Sequence, residues 1–565
     1  MYTGPFPIHV RVLYYPCSET HIAIDLSSSI RRCILYNRNH IGMMESEQTF
    51  TYSPGKRLEY FKKLNFRVKM LQSKEAVLVI VWSAMAMSVY YHVGVGKGTI
   101  DPVVSGGIVT VGMLLPIVGW LTDTYFGRYN VVNCSMWIMW LGALLNVFSL
   151  VVAKVNTTYE DSGDKWVSRL SKLIMVTGFG AFQANIIQFG IDQLSEASST
   201  EVTSFILWYT MAIFVSGISM QFSFKCTPDY VGALFVAVYL TLMLCFNFFF
   251  NKRLTKTQLV ENPLPLIWKV VCYCTKNYRH PGHGLISVND EQGLLSKFNI
   301  AKATYGGPST SEQVEDVKTF FRVMVIIATC TIACSGVSIV DFAESTLVQH
   351  LQKWPNKQTV GSCCKRQSII YADYIMAVTL VILFQIVVYP LFHKCIPKIS
   401  ITAKFLVAIL LYLIHILGHL GIEVASYHHE LELNKTMVGC VFQDKDYLTD
   451  VGYYWVMAPS IFDGLSTFLL ILSAIEFVCA QAPFNMKGLV FGLVYALFGF
   501  GALFQVVMSV PFLFKQTAWK KTPLTCGIWF FIMEGTIALI GFILVAIMVK
   551  KYKRRKRSSV LRSDW

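Results

Sequence analysis

The chain has 565 residues, 54% of them hydrophobic and only 15% charged, with a mean hydropathy of +0.49. So little charge excludes an ordinary soluble globular protein and points to membrane-spanning helices, with 14% aromatic residues suited to the two interfacial belts. The formal net charge is +15, but Lys and Arg lie in segments between apolar runs rather than in one stripe, a pattern of membrane topology that excludes nucleic acid as a partner.

Residues 1–75 lack an apolar signal-like run near the start and are mixed and basic (Arg31, Arg32, Lys56, Arg57, Lys62, Lys63), so they read as a cytosolic arm. Twelve apolar spans follow, at 76–95, 103–121, 131–153, 172–191, 204–222, 230–250, 320–348, 371–392, 402–422, 453–478, 488–513 and 526–549. Val103 to Leu121 carries no charge and is long enough to cross a hydrocarbon core of roughly 30 Å. An even number of spans puts both termini on one side. Lys and Arg are in excess in the segments that an inside N-terminus makes cytosolic, above all the tail Lys550 to Arg557. The sequons at Asn156 and Asn434 then fall in outside loops, as candidate glycosylation sites. Cys363, Cys364 and Cys440 fall outside too, where a disulfide is open. The longest inside loop, 251–319, separates six spans from six. The expected organisation is an arm at 1–75, a six-helix bundle at 76–250, a cytosolic linker at 251–319, a second bundle at 320–549 and a basic tail at 550–565.

After the second span the charges arrive together, as Asp123, Gly127 and Arg128. A tight turn flanked by an acid and a base cannot lie in lipid, so it sits at the membrane surface. The string from Gly119 to Val132, GWLTDTYFGRYNVV, resembles the loop between helices 2 and 3 of the major facilitator superfamily, and within it the proton-coupled oligopeptide transporter (peptide/nitrate) family. Further stretches resemble that family in order: Ala184 to Leu194 its fourth-helix signature, Phe205 to Phe214 its fifth-helix Trp-Tyr segment, and Val387 to Phe392 the end of its eighth. Ala474 to Gly488 resembles the passage from its tenth helix to its eleventh. Glu261 to Pro281 and Tyr305 to Arg322, with its Val-Glu-Asp-Val-Lys, are similar to the linker of animal members, the solute carrier family 15-like peptide/histidine transporters. The resemblance implies an all-α membrane protein of major facilitator fold. Its twelve transmembrane helices would form two six-helix bundles about a central site. It also implies proton-coupled symport of di- and tripeptides or peptide-like solutes by alternating access. The partners expected are lipid, solute and protons. Glu312, Glu315 and Asp316, at the start of the seventh helix, are expected to complement its dipole.

The family's charged site is not repeated here. Where its first helix has Glu-x-x-Glu-Arg, this chain has Trp82, Met85 and Ala86, and only Tyr90 and Tyr91 match its aromatic pair. Gln183 stands for the fourth-helix cation, Phe214 for the fifth-helix Asn and Thr467 for the tenth-helix Glu. A site without those charges cannot clamp both ends of a zwitterion by charge-assisted bonds. Substrate-binding candidates are Tyr90, Tyr91, Gln183, Trp208, Tyr209, Trp455 and Thr467, although Trp and Tyr in such a chain also serve as interfacial anchors. Asp341 matches a family Asp whose Arg partner is missing. With Glu344 or Asp463 it is the candidate proton site, and Asp373 replaces a family Asn; the other reading is that these acids sit wet near the outer interface. Asp123, Arg128, Asp192 and Glu476 are expected to gate and pack the helices. His415, His419 and Glu423 recur every four residues on one stripe, a spacing for a metal, a proton relay or helix packing.

The missing charges also leave two rival functions, a facilitative carrier of another small solute and a transport-inactive membrane scaffold. An enzyme is not expected, for no nucleophile elbow, phosphate loop or zinc spacing is present, and Cys272-x-Cys274 is a lone pair. No cofactor is expected. The plasma membrane and the endolysosomal membrane both fit the sequence.

Overall fold

In a computed structural model the described residues are 73–94, 102–155, 162–194, 199–226, 229–257, 259–278, 297–334, 351–352, 375, 379–380, 400–432, 449–514 and 526–552. By internal contacts the chain divides into one unit of Met1–Met70 with Thr379–Ile399 and another of Leu71–Val378 with Ser400–Trp565. Thr379 and Leu380, helical and exposed, are the described residues of the first unit; every element named below belongs to the second.

Six helices come first: α1 Lys74–Gly94, α2 Pro102–Leu121, α3 Arg128–Val155, α4 Ser162–Asp192, α5 Ser199–Cys226 and α6 Asp229–Phe250. The linker contributes α7, Pro263–Tyr278, and two short 3₁₀ turns at Lys297–Ala301 and Ala303–Tyr305. Then come α8 Ser311–Ala333, α9 Ile401–Glu432, α10 Met457–Gln481, α11 Lys487–Phe514 and α12 Cys526–Lys551. A parallel pair of short strands joins β1 Leu351–Gln352 to β2 Thr449–Gly452. Among the described residues nine helical segments are long and apolar enough to cross a membrane, from Lys74–Val93 to Gly527–Lys551, and Glu201–Gly217 is a shorter apolar one. The expected seventh span is described as far as the end of α8, and the eighth, 371–392, lies almost wholly outside the described residues.

Packing among α1 to α6 is chiefly mutual, as is packing among α8 to α12, while α2 lies along α11 between the two sets. Lipid gives apolar side chains little reason to leave it, so close helix approach depends on small residues. Gly142 of α3 and Gly178 of α4 illustrate this: a Cβ on Gly142 would lie 3.0 Å from the Ser171 carbonyl oxygen, and one on Gly178 would lie 3.0 Å from that of Ser135. Between α2 and α11, Gly119 meets the Gly488 backbone and Gly492 meets Leu115 and Pro116, so no side chain separates the two main chains there.

The start of α8 meets the dipole expectation in part, with Glu312 in its first turn. Thr310 caps it, accepting from the Gln313 N–H at 3.2 Å while the Gln313 side chain accepts from the Thr310 N–H at 3.0 Å. Glu315 instead binds Lys302 at 2.6 Å and Lys318 at 2.9 Å, and Lys318 also donates to Asn299. This clamp fixes the linker turns onto α8. Burial raises the Glu315 carboxyl, but hydrogen bonds from the two ammonium groups outweigh it and hold the group down at about 2. Burial lowers the Lys318 ammonium against the pull of Glu315. On α7, Cys274 is buried, with burial pushing its thiol up. Among the described residues no group of three metal-ligating side chains converges.

Candidate functional site

The predicted surface turn is shorter and better buried than the sequence suggested. α2 ends in a π-helical turn, Thr122–Phe126, closed by the Gly127 N–H donating to the Thr122 carbonyl at 2.8 Å. Gly127, at φ 78°, supplies the left-handed residue that sends the chain straight into α3. The tight reversal brings Asp123 and Arg128 together, 5% and 6% exposed. Arg128 Nε donates to Asp123 Oδ1 at 2.8 Å, and its Nη1 donates to both oxygens of Asp192, at 2.7 and 3.0 Å. One guanidinium thus joins α2, the start of α3 and the end of α4.

The second oxygen of Asp123 reaches across to the other helix set. Oδ2 accepts the Gly488 N–H at 2.8 Å. Gly488 is in the first turn of α11, where N–H groups have no intrahelical acceptor and the helix dipole favours an anion. Two aspartates and one arginine leave the cluster with net negative charge, and Lys487 adds a cation beside it that acts on Asp192. The linker closes the same end: Val260 N donates to the Asp123 carbonyl at 2.9 Å, Trp120 Nε1 to Asn262 at 2.9 Å, and Thr255 Oγ1 to the Asp192 carbonyl at 3.0 Å.

Glu476, also predicted to gate or pack, is 2% exposed near the end of α10 and paired with Lys404 at the start of α9. Nearby, Tyr552 donates to Gln481 at 2.9 Å, and its ring packs on Phe477. The sequence reading missed both Lys404 and the Gly488 N–H. A solitary Lys inside an apolar run was a usable signal for the first; a backbone donor leaves none.

The substrate-binding candidates do not share one environment. Tyr209 is fully buried and donates to Gln183 Oε1 at 2.9 Å, with Ser83 and Tyr495 of α11 adjoining its hydroxyl. Gln183 Nε2 faces Met87 Sδ at 3.5 Å, and Trp82 is fully buried. Of the positions that lack the expected charges, Gln183 thus stands in a neutral hydrogen bond, while Trp82 Nε1 is buried without a hydrogen-bond partner. Phe214 of α5 meets Phe468 of α10 edge-on, at 5.3 Å between ring centres, beside Thr467, whose Oγ1 is buried without a hydrogen-bond partner. Tyr90 is half exposed and stacks on Phe179, while the ring of Tyr91 lies against Gly217. Trp208 is half-buried on α5. Trp455 is exposed, in the 3₁₀ turn Tyr453–Val456 before α10. Of the proton candidates Asp463 is buried on α10, close enough to Cys334 at the end of α8 to act on it electrostatically. Asp341, Glu344 and Asp373 lie outside the described residues, as do Asn156 and Asn434. His415, His419 and Glu423 are all buried on α9, with the two imidazoles 4.6 Å apart.

No protein-family model matches the chain. It is 20% identical over 506 residues to solute carrier family 15 member 3 of Rattus norvegicus, covering 79% of this chain and 83% of that protein. It is 21% identical over 498 residues to protein NRT1/PTR family 2.9 of Arabidopsis thaliana, covering 78% and 84%. Among solved structures it superposes on the POT family transporter PepTSo with a TM-score of 0.60 at 14% identity, over 85% of this chain and 98% of that one. An auto-inhibited POT family peptide transporter gives 0.58 at 14% identity, over 86% and 99%. The chain is therefore a distant homologue of solute carrier family 15 and NRT1/PTR proteins, with the major facilitator fold of POT family transporters.

Proposed function

We propose that this chain is a multi-pass secondary active transporter that couples proton entry to uptake of di- and tripeptides or peptide-like solutes by alternating access. The observation that carries the reading is the α2–α11 latch. In alternating access the two helix sets must part at one membrane face and meet at the other. At the α2–α11 junction they meet through Asp123 on a helix N-terminus and through glycine backbones in contact. A hydrogen bond to a main-chain N–H and close-packed glycines form a junction that can open and reclose. The basic tail and the excess of Lys and Arg at this end support a cytosolic latch and cytosolic termini. Asp123, Arg128, Asp192 and Glu476 then act as gate and brace, and the Gln183–Tyr209 core with Thr467 and Phe468 lies toward the solute path. The plasma membrane and the endolysosomal membrane both suit this activity.

The test is uptake of a labelled dipeptide by proteoliposomes holding the full chain, at external pH about 5.5 and about 7.5, a range in which imidazoles titrate. Uptake that rises with acid and is accompanied by proton entry supports the proposal. Uptake independent of pH indicates a facilitative carrier, and no uptake by well-folded protein overturns the transport reading.

A further inference from the structure

We propose that His415, inside the α8–α12 helix set, is a reversible proton-binding site that supplies the coupling group where the first-helix charges are missing. Its role in coupling rests on the transporter reading above; the site itself does not.

The geometry settles which nitrogen is available. His415 Nδ1 lies 3.0 Å from the Pro459 carbonyl oxygen of α10. A carbonyl only accepts, so Nδ1 carries a hydrogen and the neutral ring keeps its lone pair on Nε2. That Nε2 is buried and has no hydrogen-bond partner, on a side chain with no exposed surface. A proton taken up there turns the lone pair into an N–H donor. An imidazolium created there needs nearby negative charge, because an isolated ion inside a membrane protein is costly.

Two buried acids lie on the helices packed against α9. Asp463, 1% exposed, lies four residues after Pro459 and hence one turn along α10 from the carbonyl that holds the ring. Glu534 of α12 is also 1% exposed, with Oε1 unpartnered. It sits three residues beyond Phe531, which stacks on His419, and next to Gly535, which faces Ile416. On α9 itself Tyr412 and His419 flank the ring, and Glu423 lies two turns on. α8 contributes the Cys334 thiol. Among the described residues no Lys or Arg is in this layer; Lys404, the cation on α9, is paired at the far end with Glu476. Among the described residues the cluster therefore has acids and imidazoles but no fixed cation, and a proton on Nε2 would supply a positive charge. In the balanced step one proton enters on the Nε2 lone pair. Nδ1–H stays on the Pro459 carbonyl, and the same proton leaves on the other side of the cycle.

The experiment uses the full chain with ¹⁵N-labelled histidine in lipid nanodiscs. The His415 signal is assigned by its loss in His415→Asn, whose amide still donates to the Pro459 carbonyl. We expect the Nε2 signal to pass from unprotonated to protonated as pH falls from about 8 to about 5. A signal that stays unprotonated throughout overturns the site, whatever the transport result. Asp463→Asn, which retains the imidazole, should displace the titration by about one pH unit toward acid, because a removed carboxylate no longer favours the imidazolium. An unmoved titration overturns the role of the acids. In proteoliposomes His415→Asn should lose acid stimulation but keep dipeptide counterflow, and retained acid stimulation overturns the coupling role. Titration in a wild-type protein that moves no peptide at any pH upholds the proton site while refuting the transport reading.

Discussion

Asp123→Asn should release the latch. The acid accepts two charge-assisted hydrogen bonds, from Arg128 Nε and the Gly488 N–H, both at 2.8 Å. Asparagine can present one oxygen, so one contact is lost and the other becomes neutral. Breaking a buried pair costs about 3–5 kcal/mol when the surviving ion has no other partner. Arg128 retains both oxygens of Asp192, which places the cost at about 2–3 kcal/mol, near that of one charged hydrogen bond plus partial desolvation. Much of it falls on the state in which α2 and α11 are together, since Gly488 is on the opposing helix set. The closed-to-open ratio should then drop roughly 30- to 150-fold. The assay is pulsed electron resonance between spin labels at Tyr125 and Phe484, exposed residues on opposite sides of the junction. The variant should populate longer distances, and uptake should fall as the cycle stalls open on that face. An unchanged distance distribution in a variant that remains monodisperse would refute the assignment of Asp123 as the holding group.

Gly488→Ala tests the same junction without altering charge. Its Cβ would stand 2.5 Å from Asp123 Oδ2 and 2.7 Å from the Gly119 carbonyl oxygen, so the same label pair should again move apart. Lys404→Met leaves Glu476 buried without its cation and should lower stability by about 3–5 kcal/mol, read as a drop in melting temperature. Adding Glu476→Leu should restore most of the loss, and failure to do so would mean that packing rather than charge is at stake. The linker clamp should be acid-sensitive. Glu315 is held at about 2 in the folded chain and near 4.3 unfolded, so its contribution is full above about 4.3 and disappears as pH falls toward about 2. Allowing for a carboxylate one-third exposed, the effect is about 1 kcal/mol. Peptic cleavage of the linker should quicken over that window, and Glu315→Gln should cleave fast throughout it.

The helices were legible because apolar length in a membrane is a one-dimensional property: α2 and α12 run within a residue or two of the expected 103–121 and 526–549. The latch was half legible. Asp123, Arg128 and Asp192 stood out as charges between apolar runs, whereas their partner on α11 is a main-chain N–H that no side chain announces. Glu315 was read by its position at a helix start, and it turned instead to Lys302, brought close by the two short turns before Thr310. The histidine stripe was visible as spacing, but its meaning depended on Pro459 of another helix, a contact set by tertiary packing. Likewise, Gln183 and Tyr209 were named as separate candidates, and only the fold makes them one hydrogen bond.

A pattern of strengths connects these contacts. Arg128 at the start of α3 pairs with Asp192 at the end of α4; Lys404 at the start of α9 pairs with Glu476 near the end of α10. The same device, a cation opening one helix and an acid closing the next, thus recurs in both helix sets, as expected of two halves related by a pseudo-two-fold axis. Both pairs act within a set, are largely buried and bind ion to ion, so they resist rocking motions. Across the sets at that end the contact changes character, to a carboxylate on a backbone N–H and glycine against main chain. A transporter needs this ordering, with bundles stiff enough to move as bodies and a junction weak enough to part on each cycle. It follows that exchanging the strengths should abolish turnover while sparing the fold. A bulkier hydrophobic residue at Gly119, where an added Cβ would meet the Gly488 carbonyl, should jam or splay the junction and lower uptake without unfolding either bundle.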